Sequence, residues 1–172
     1  THHEYTEVDE TSFTSSESID ISAQIAKAMN ESIRRKSTRV KIIGGEIGPH
    51  NGGSPVCSHT TMRWANFGDS LWYADALAAK ARYGYETFCR QDYIGADYGL
   101  VDCSTGMPLP DYYTALVWSQ TMGAVVLDVN PAPTDQSPVR MYAHCTTASE
   151  PSAPEAGSVT LMVVNLGNTT TT

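Results

Sequence analysis

The chain has 172 residues, 41% of them hydrophobic, which is long enough and apolar enough for a packed core and argues against disorder. Its formal charge of −8 argues against a nucleic-acid partner, because a phosphate-binding surface needs Lys and Arg. No apolar run approaches the ~20 residues that a membrane span requires, and no basic-then-apolar leader opens the sequence.

In chain order, residues 1–6 read as a short strand, so the chain is expected to begin inside a domain. A polar loop covers 7–18. Ile21, Ile25, Met29 and Ile33 then recur every four residues and predict one apolar helix face. Ser18 or Asp20 is the expected cap, and Arg34, Arg35 and Lys36 suit the helix C-terminus. Val40 to Gly45 predicts a buried strand that ends at Glu46, followed by a Gly-, Pro-, Asn- and Ser-rich loop over 47–58. A long helix is predicted over 60–82, with Trp64, Phe67, Leu71, Ala74, Ala78 and Ala81 on its apolar face. Tyr85 to Gln91 is the next strand. A loop then runs to Pro110, which opens a helix reaching Met122. After Gly123 the pattern changes: Ala124–Val129, Val139–Cys145 and Ser158–Asn165 read as strands between Pro- and Ser-rich turns.

Repeated βα units imply a parallel sheet with helices outside it. Three such units do not close an eight-fold barrel by themselves. The expected fold class is therefore α/β. Residues 1–122 are the last three βα units, the C-terminal third, of a (β/α)8 TIM barrel, and residues 123–172 are the start of an all-β sandwich domain. Such a piece exposes a strand edge and apolar surface. The four cysteines, Cys57, Cys89, Cys103 and Cys145, form no Cys-x-x-Cys pair and do not suggest a structural zinc site. Two glycosylation triplets, at Asn30 and Asn168, give weak support to a secretory route.

In βα barrels the reacting groups sit at the C-terminal ends of the strands. Three sets of residues qualify: His2, His3 and Tyr5; Glu46; and Arg90 with Gln91. Glu46 stands out, because it follows Ile42-Ile43-Gly44-Gly45 and the two glycines let other groups approach closely. A glycosidase nucleophile needs an ionised carboxylate held below the anomeric carbon. A helix-capping or surface glutamate explains the same residue equally well when it is taken alone.

The stretch Gly45-Glu46-Ile47-Gly48-Pro49-His50-Asn51-Gly52-Gly53 resembles the nucleophile segment of the heparanase and plant heparanase-like glucuronidase family, glycoside hydrolase family 79. The resemblance extends, in order, to His2-His3-Glu4-Tyr5, Cys89-Arg90-Gln91, Tyr98-Gly99-Leu100-Val101-Asp102, Pro108-Leu109-Pro110-Asp111-Tyr112-Tyr113, Met141-Tyr142-Ala143-His144-Cys145 and the strand at 157–168. It implies that Glu46 is the nucleophile of a retaining reaction, whose covalent glycosyl-enzyme water then cleaves. Gly52 and Gly53 would bind the uronate carboxylate through bare backbone N–H groups; a loop is the alternative. Tyr98 would also contact the uronate, with a packing aromatic as the alternative. Gln91 would line the sugar site, Tyr5 and His3 would complete it, and Arg90 would make a structural ion pair.

The partner acid/base glutamate of the family follows an Asn on an earlier strand, and no such segment is present. Retaining catalysis needs two carboxyls about 5 Å apart, so this chain alone is expected to be inactive and to need the missing N-terminal barrel half. Glu4 stands where animal heparanases carry tyrosine. It adds a negative charge on the neighbouring strand that would oppose ionisation of Glu46, with His2 and His3 offsetting it by hydrogen bonds; strand-end packing is the alternative for both histidines. Cys145 matches a family cysteine whose partner lies beyond Thr172, and Cys57 has no role to carry over. The expected function is hydrolysis of β-glucuronide linkages in glucuronic-acid-containing polysaccharides or glycoconjugates. The alternatives are a heparanase-like glycan-binding protein that has lost catalysis, and a structural extracellular domain. No metal or organic cofactor is implied. The resemblance places the protein in an extracellular or lysosomal/secretory setting and allows membrane association.

Overall fold

The computed structural model describes residues 2–5, 15–50, 65–129, 137–147 and 157–167, with the backbone alone at His2 and His3. Among these, six strands and three helices follow in the predicted order: β1 (His2–Tyr5), α1 (Ser16–Arg34), β2 (Ile42–Gly48), α2 (Phe67–Arg82), β3 (Tyr85–Arg90), α3 (Pro110–Thr121), β4 (Met122–Leu127), β5 (Val139–Thr146) and β6 (Val159–Asn165). The first three strands form a parallel sheet with β2 in the middle, and the last three an antiparallel sheet with β5 in the middle. The architecture is mixed α/β, as the alternation of apolar patterns requires.

Helix α1 is capped by Ser15, whose Oγ accepts the Ser18 N–H at 3.2 Å, rather than by Ser18 or Asp20. Its buried face is Ile19, Ser22 and Ala26, continued by Met29 and Ile33, while Ile21 and Ile25 are half-buried. The difference is geometric. A row of residues four apart turns by about 40° per step relative to a helix of 3.6 residues per turn, so it wanders off the packed stripe. Helix α2 is capped by Asn66, whose Oδ1 accepts the Asp69 N–H at 3.1 Å. Its predicted apolar face is rotated away from the observed one: Phe67 is 72% exposed, and Leu71, Ala74 and Ala81 are half-buried. Ala78 of the predicted face is buried, together with Trp72, Tyr73, Ala76, Leu77 and Ala79, which the pattern did not put there. Helix α2 touches both sheets, and a helix covered on opposite sides has no single apolar stripe to read. Trp64 lies outside the described residues.

The core between the parallel sheet and the helices is built from Ile19, Ile47, Trp72, Tyr73, Ala76, Leu77 and Tyr98. The antiparallel sheet docks on the helices through buried polar contacts. Arg140 of β5 pairs with Asp20 of α1 at 2.6 Å, and the Tyr142 hydroxyl donates to Asp75 Oδ1 of α2 at 2.7 Å. Burial pushes the Asp75 carboxyl up to about 6, against the lowering effect of the Tyr142 hydrogen bond.

Strand β4 begins at Met122, directly out of α3, two residues before the predicted start. Gly123, after which the sequence pattern changes, is itself part of this strand. A Cβ there would stand 2.3 Å from the Cys145 carbonyl oxygen, so only glycine lets β4 and β5 close. On β6, Val159, Leu161 and Val163 alternate outward and are 56, 56 and 54% exposed, the apolar surface that the sequence led us to expect. Cys103 is disulfide-bonded and Cys89 and Cys145 are free; Cys57 lies outside the described residues. Asn30 is helical and its Oδ1 accepts Arg34 Nε at 3.1 Å, while Asn168 lies outside. Among the described residues no helix is long and apolar enough to cross a membrane.

Candidate active site

Because β1, β2 and β3 run parallel, their C-terminal ends come together on one side. The register sets His3 beside Glu46 and Tyr5 beside Gly48. Successive residues of a strand serve opposite faces. Ile47 therefore enters the helix layer, fully buried, whereas half-buried Glu46 meets the Tyr5 hydroxyl, which donates to Glu46 Oε1. Glu46 lies within β2, two residues before its end, and not just past it as the sequence suggested. The Tyr5 phenol is pushed up, first by burial and then by the hydrogen bond to Glu46 and its negative charge. A phenol held in that direction keeps its proton and remains a donor to the carboxylate.

Glu4 belongs to the other face. It is buried in the helix layer, where Lys80 Nζ donates to Oε2 at 2.7 Å and Ser22 Oγ donates to Oε1 at 2.8 Å. Its charge is met by Lys80 and is turned away from the Glu46 face. The expected opposition between Glu4 and Glu46 is corrected accordingly: adjacent residues of β1 face apart, so Glu4 parts company with Tyr5.

Gly48 is packed closely by its neighbours, and the sequence did not single it out beyond its place in the motif. A Cβ on it would stand 3.0 Å from the Tyr5 ring and 3.3 Å from the Gln91 carbonyl oxygen. The bare backbone lets the ends of β1 and the segment after β3 close over β2. Gln91 follows β3, and its N–H donates to the Ile47 carbonyl at 2.9 Å. Tyr98 is a core aromatic, 4% exposed, with burial raising its phenol and Asp92 adding to the effect. Asp92, also unnoticed in the sequence, is half-buried; its carboxyl is raised by burial and held back by Arg90. Gly52 and Gly53 lie outside the described residues, and of His3 only the backbone position is known.

Arg90 makes the ion pair that the sequence suggested, in a double form. Its Nη2 stands 3.0 Å from Asp69 Oδ2 in the first turn of α2 and 2.7 Å from Asp111 Oδ2 in the first turn of α3. The same guanidinium donates to the Tyr98 carbonyl at 3.0 Å and to the Gln91 carbonyl. Trp72 and Tyr73 cover it, their ring centroids 5.6 and 5.3 Å away. Burial pushes both aspartates up, Asp69 well above the usual carboxylate range with the Asp111 charge adding to it, and Arg90 opposes the rise in both. Neither aspartate was readable as a partner of Arg90, since each looks like an ordinary acidic residue near a helix start.

Comparison with known proteins places this geometry in context. No protein-family model matches the chain. Heparanase-like protein 3 of Arabidopsis thaliana is 34% identical over 89% of this chain and 26% of its own length. Heparanase-like protein 1 of the same plant is 42% identical over 73% of the chain and 20% of its own length. Baicalin-beta-D-glucuronidase of Scutellaria baicalensis is 34% identical over 81% of the chain and 24% of its own length. The chain thus spans about a quarter of the length of the curated relatives it matches. With this similarity running through the strands that carry Glu46 and Arg90, the chain belongs to the heparanase family.

Proposed function

We propose that this chain is the C-terminal part of a retaining glycoside hydrolase acting on β-glucuronide linkages, with Glu46 as nucleophile. The observation that carries the reading is the Tyr5–Glu46 contact, a half-buried carboxylate held by a phenol hydroxyl where parallel strand ends meet. The heparanase and glucuronidase names of the relatives support a glycosidase, and the latter name supports a glucuronide substrate. In this reading Tyr5 orients Glu46, and Gln91, Tyr98, His3, Gly52 and Gly53 surround the sugar. The acid/base carboxyl comes from a part of the polypeptide outside this chain. Without it 172 residues do not turn substrate over. The parallel sheet is then the closing third of a TIM barrel over 1–122, and the antiparallel sheet opens a β-sandwich over 123–172, in a protein of the extracellular or secretory compartment.

The test uses the intact protein and 4-methylumbelliferyl β-D-glucuronide. Glu46→Gln is expected to abolish turnover while the glucuronide still binds, and an epoxide mimic of glucuronic acid is expected to form an ester with Glu46, located by peptide mass spectrometry. Labelling of a different carboxylate, or unchanged turnover in Glu46→Gln, overturns the assignment. Glucuronide binding without turnover in the unmodified protein points instead to the glycan-binding relative that has lost catalysis.

A further inference from the structure

Arg90 is the last residue of β3, and its side chain leaves the strand on the helix side, as its pairing with Ile47 requires. There it does two separate things. It bridges the first turns of α2 and α3 through Asp69 and Asp111. It also donates to the carbonyls of Gln91, whose N–H holds the Ile47 carbonyl next to Glu46 in sequence, and of Tyr98. Ion pairing asks only for a charge near two carboxylates. Reaching two carbonyls of different segments as well asks for the fixed fork of a guanidinium.

We propose that Arg90 is a positioning residue of the glucuronide site: its guanidinium, clamped by Asp69 and Asp111, fixes the main chain at Gln91 and Tyr98 and thereby the two side chains that the proposed function sets around the sugar. This rests on the function proposed above. Nothing else among the described residues joins the backbone at 91 to the backbone at 98 through a side chain, although Leu100 N–H to the Asp92 carbonyl, at 3.1 Å, and Gly99 N–H to the Ala96 carbonyl, at 3.1 Å, shape the loop between them. The role is distinct from catalysis, because Arg90 is buried under Trp72 and Tyr73 and does not face the sugar side.

The experiment compares Arg90→Lys with the unmodified intact protein. Lysine keeps the charge between Asp69 and Asp111 but has no fork for the two carbonyls. Because this variant tests a buried site, the neutral triple variant Arg90→Met, Asp69→Asn, Asp111→Asn is run beside it; it removes every charge together and leaves no unpaired ion. Turnover of 4-methylumbelliferyl β-D-glucuronide is measured per active site, with sites counted by covalent labelling of Glu46. Affinity for the non-hydrolysable phenyl 1-thio-β-D-glucuronide is measured by calorimetry. Losing one well-placed hydrogen bond to the substrate is worth about tenfold. We expect KM and the thioglucuronide Kd to rise about tenfold or more in both variants, with kcat per labelled site changed far less. Wild-type KM and Kd per folded molecule in either variant, with only a lower melting temperature, overturn the proposal and leave Arg90 a structural ion pair. Should the unmodified protein bind the thioglucuronide but fail to turn over 4-methylumbelliferyl β-D-glucuronide, the hydrolase reading fails, and the Kd values still decide the role of Arg90: a tenfold loss supports it and no loss refutes it.

Discussion

Replacing Asp75 by Asn removes a titrating group from the contact between α2 and β5. In the folded protein the carboxyl sits at about 6, against 3.8 for the free group, because burial disfavours its charge. The folded state therefore holds a proton that the unfolded chain has released between those two values. The stabilisation is complete below 3.8, falls as the pH rises toward 6, and is gone above it. A gap of roughly two units, at 1.36 kcal/mol per unit, amounts to about 3 kcal/mol. Asn carries no proton, so this slope vanishes in the variant. The amide still accepts from the Tyr142 hydroxyl, but its N–H2 replaces Asp75 Oδ2, which has no partner among the described residues. That costs about 1–3 kcal/mol at every pH and cancels when two pH values are compared. Urea unfolding of the intact protein at pH 4 and pH 7.5, wild type against Asp75→Asn, should give a difference of differences of about 2–3 kcal/mol, the variant being relatively worse in acid. Equal effects at the two pH values would mean that Asp75 is solvated or paired in solution, and the buried contact described here would be wrong.

Tyr5→Phe removes the donor to Glu46 and should lower kcat on a glucuronide by about 10- to 100-fold, the worth of a charge-assisted hydrogen bond, with the fold intact by circular dichroism. Gly48→Ala presses a methyl against the Tyr5 ring and the Gln91 carbonyl; activity should fall more steeply than the melting temperature, because the displaced groups belong to the site. Arg140→Met leaves Asp20 as a buried charge without its counter-ion and should cost about 3–5 kcal/mol in urea unfolding. Arg140→Met combined with Asp20→Asn should recover most of that loss.

The order of strands and helices was readable because it rests on apolar periodicity, and Glu46 stood out as a carboxylate next to a Gly-Gly strand, although taken alone it fits a helix cap or a surface position equally well. What escaped was set by partners distant in sequence. Ser15 looked like one serine among many in a polar stretch, and its role depends on where the packed face of α1 begins. The faces of α2 were misread because Asp69, Asp75 and Lys80 look solvent-facing in a helix, yet all three are buried against Arg90, Tyr142 and Glu4. The sequence carries no sign of pairings that span 21, 67 and 76 positions. Gly48 needed the coordinates of two neighbouring strands before its missing side chain acquired a reason.

The seam between the antiparallel sheet and the helices has a bearing on protein engineering. Apolar surfaces tolerate rotation and exchange, but a seam keyed by Arg140 to Asp20 and by Tyr142 to Asp75 accepts one orientation and one set of counterparts. A chimera that imports strands 139–165 from a relative must bring matching residues at positions 20 and 75 with them, or it will bury orphaned charge at the graft.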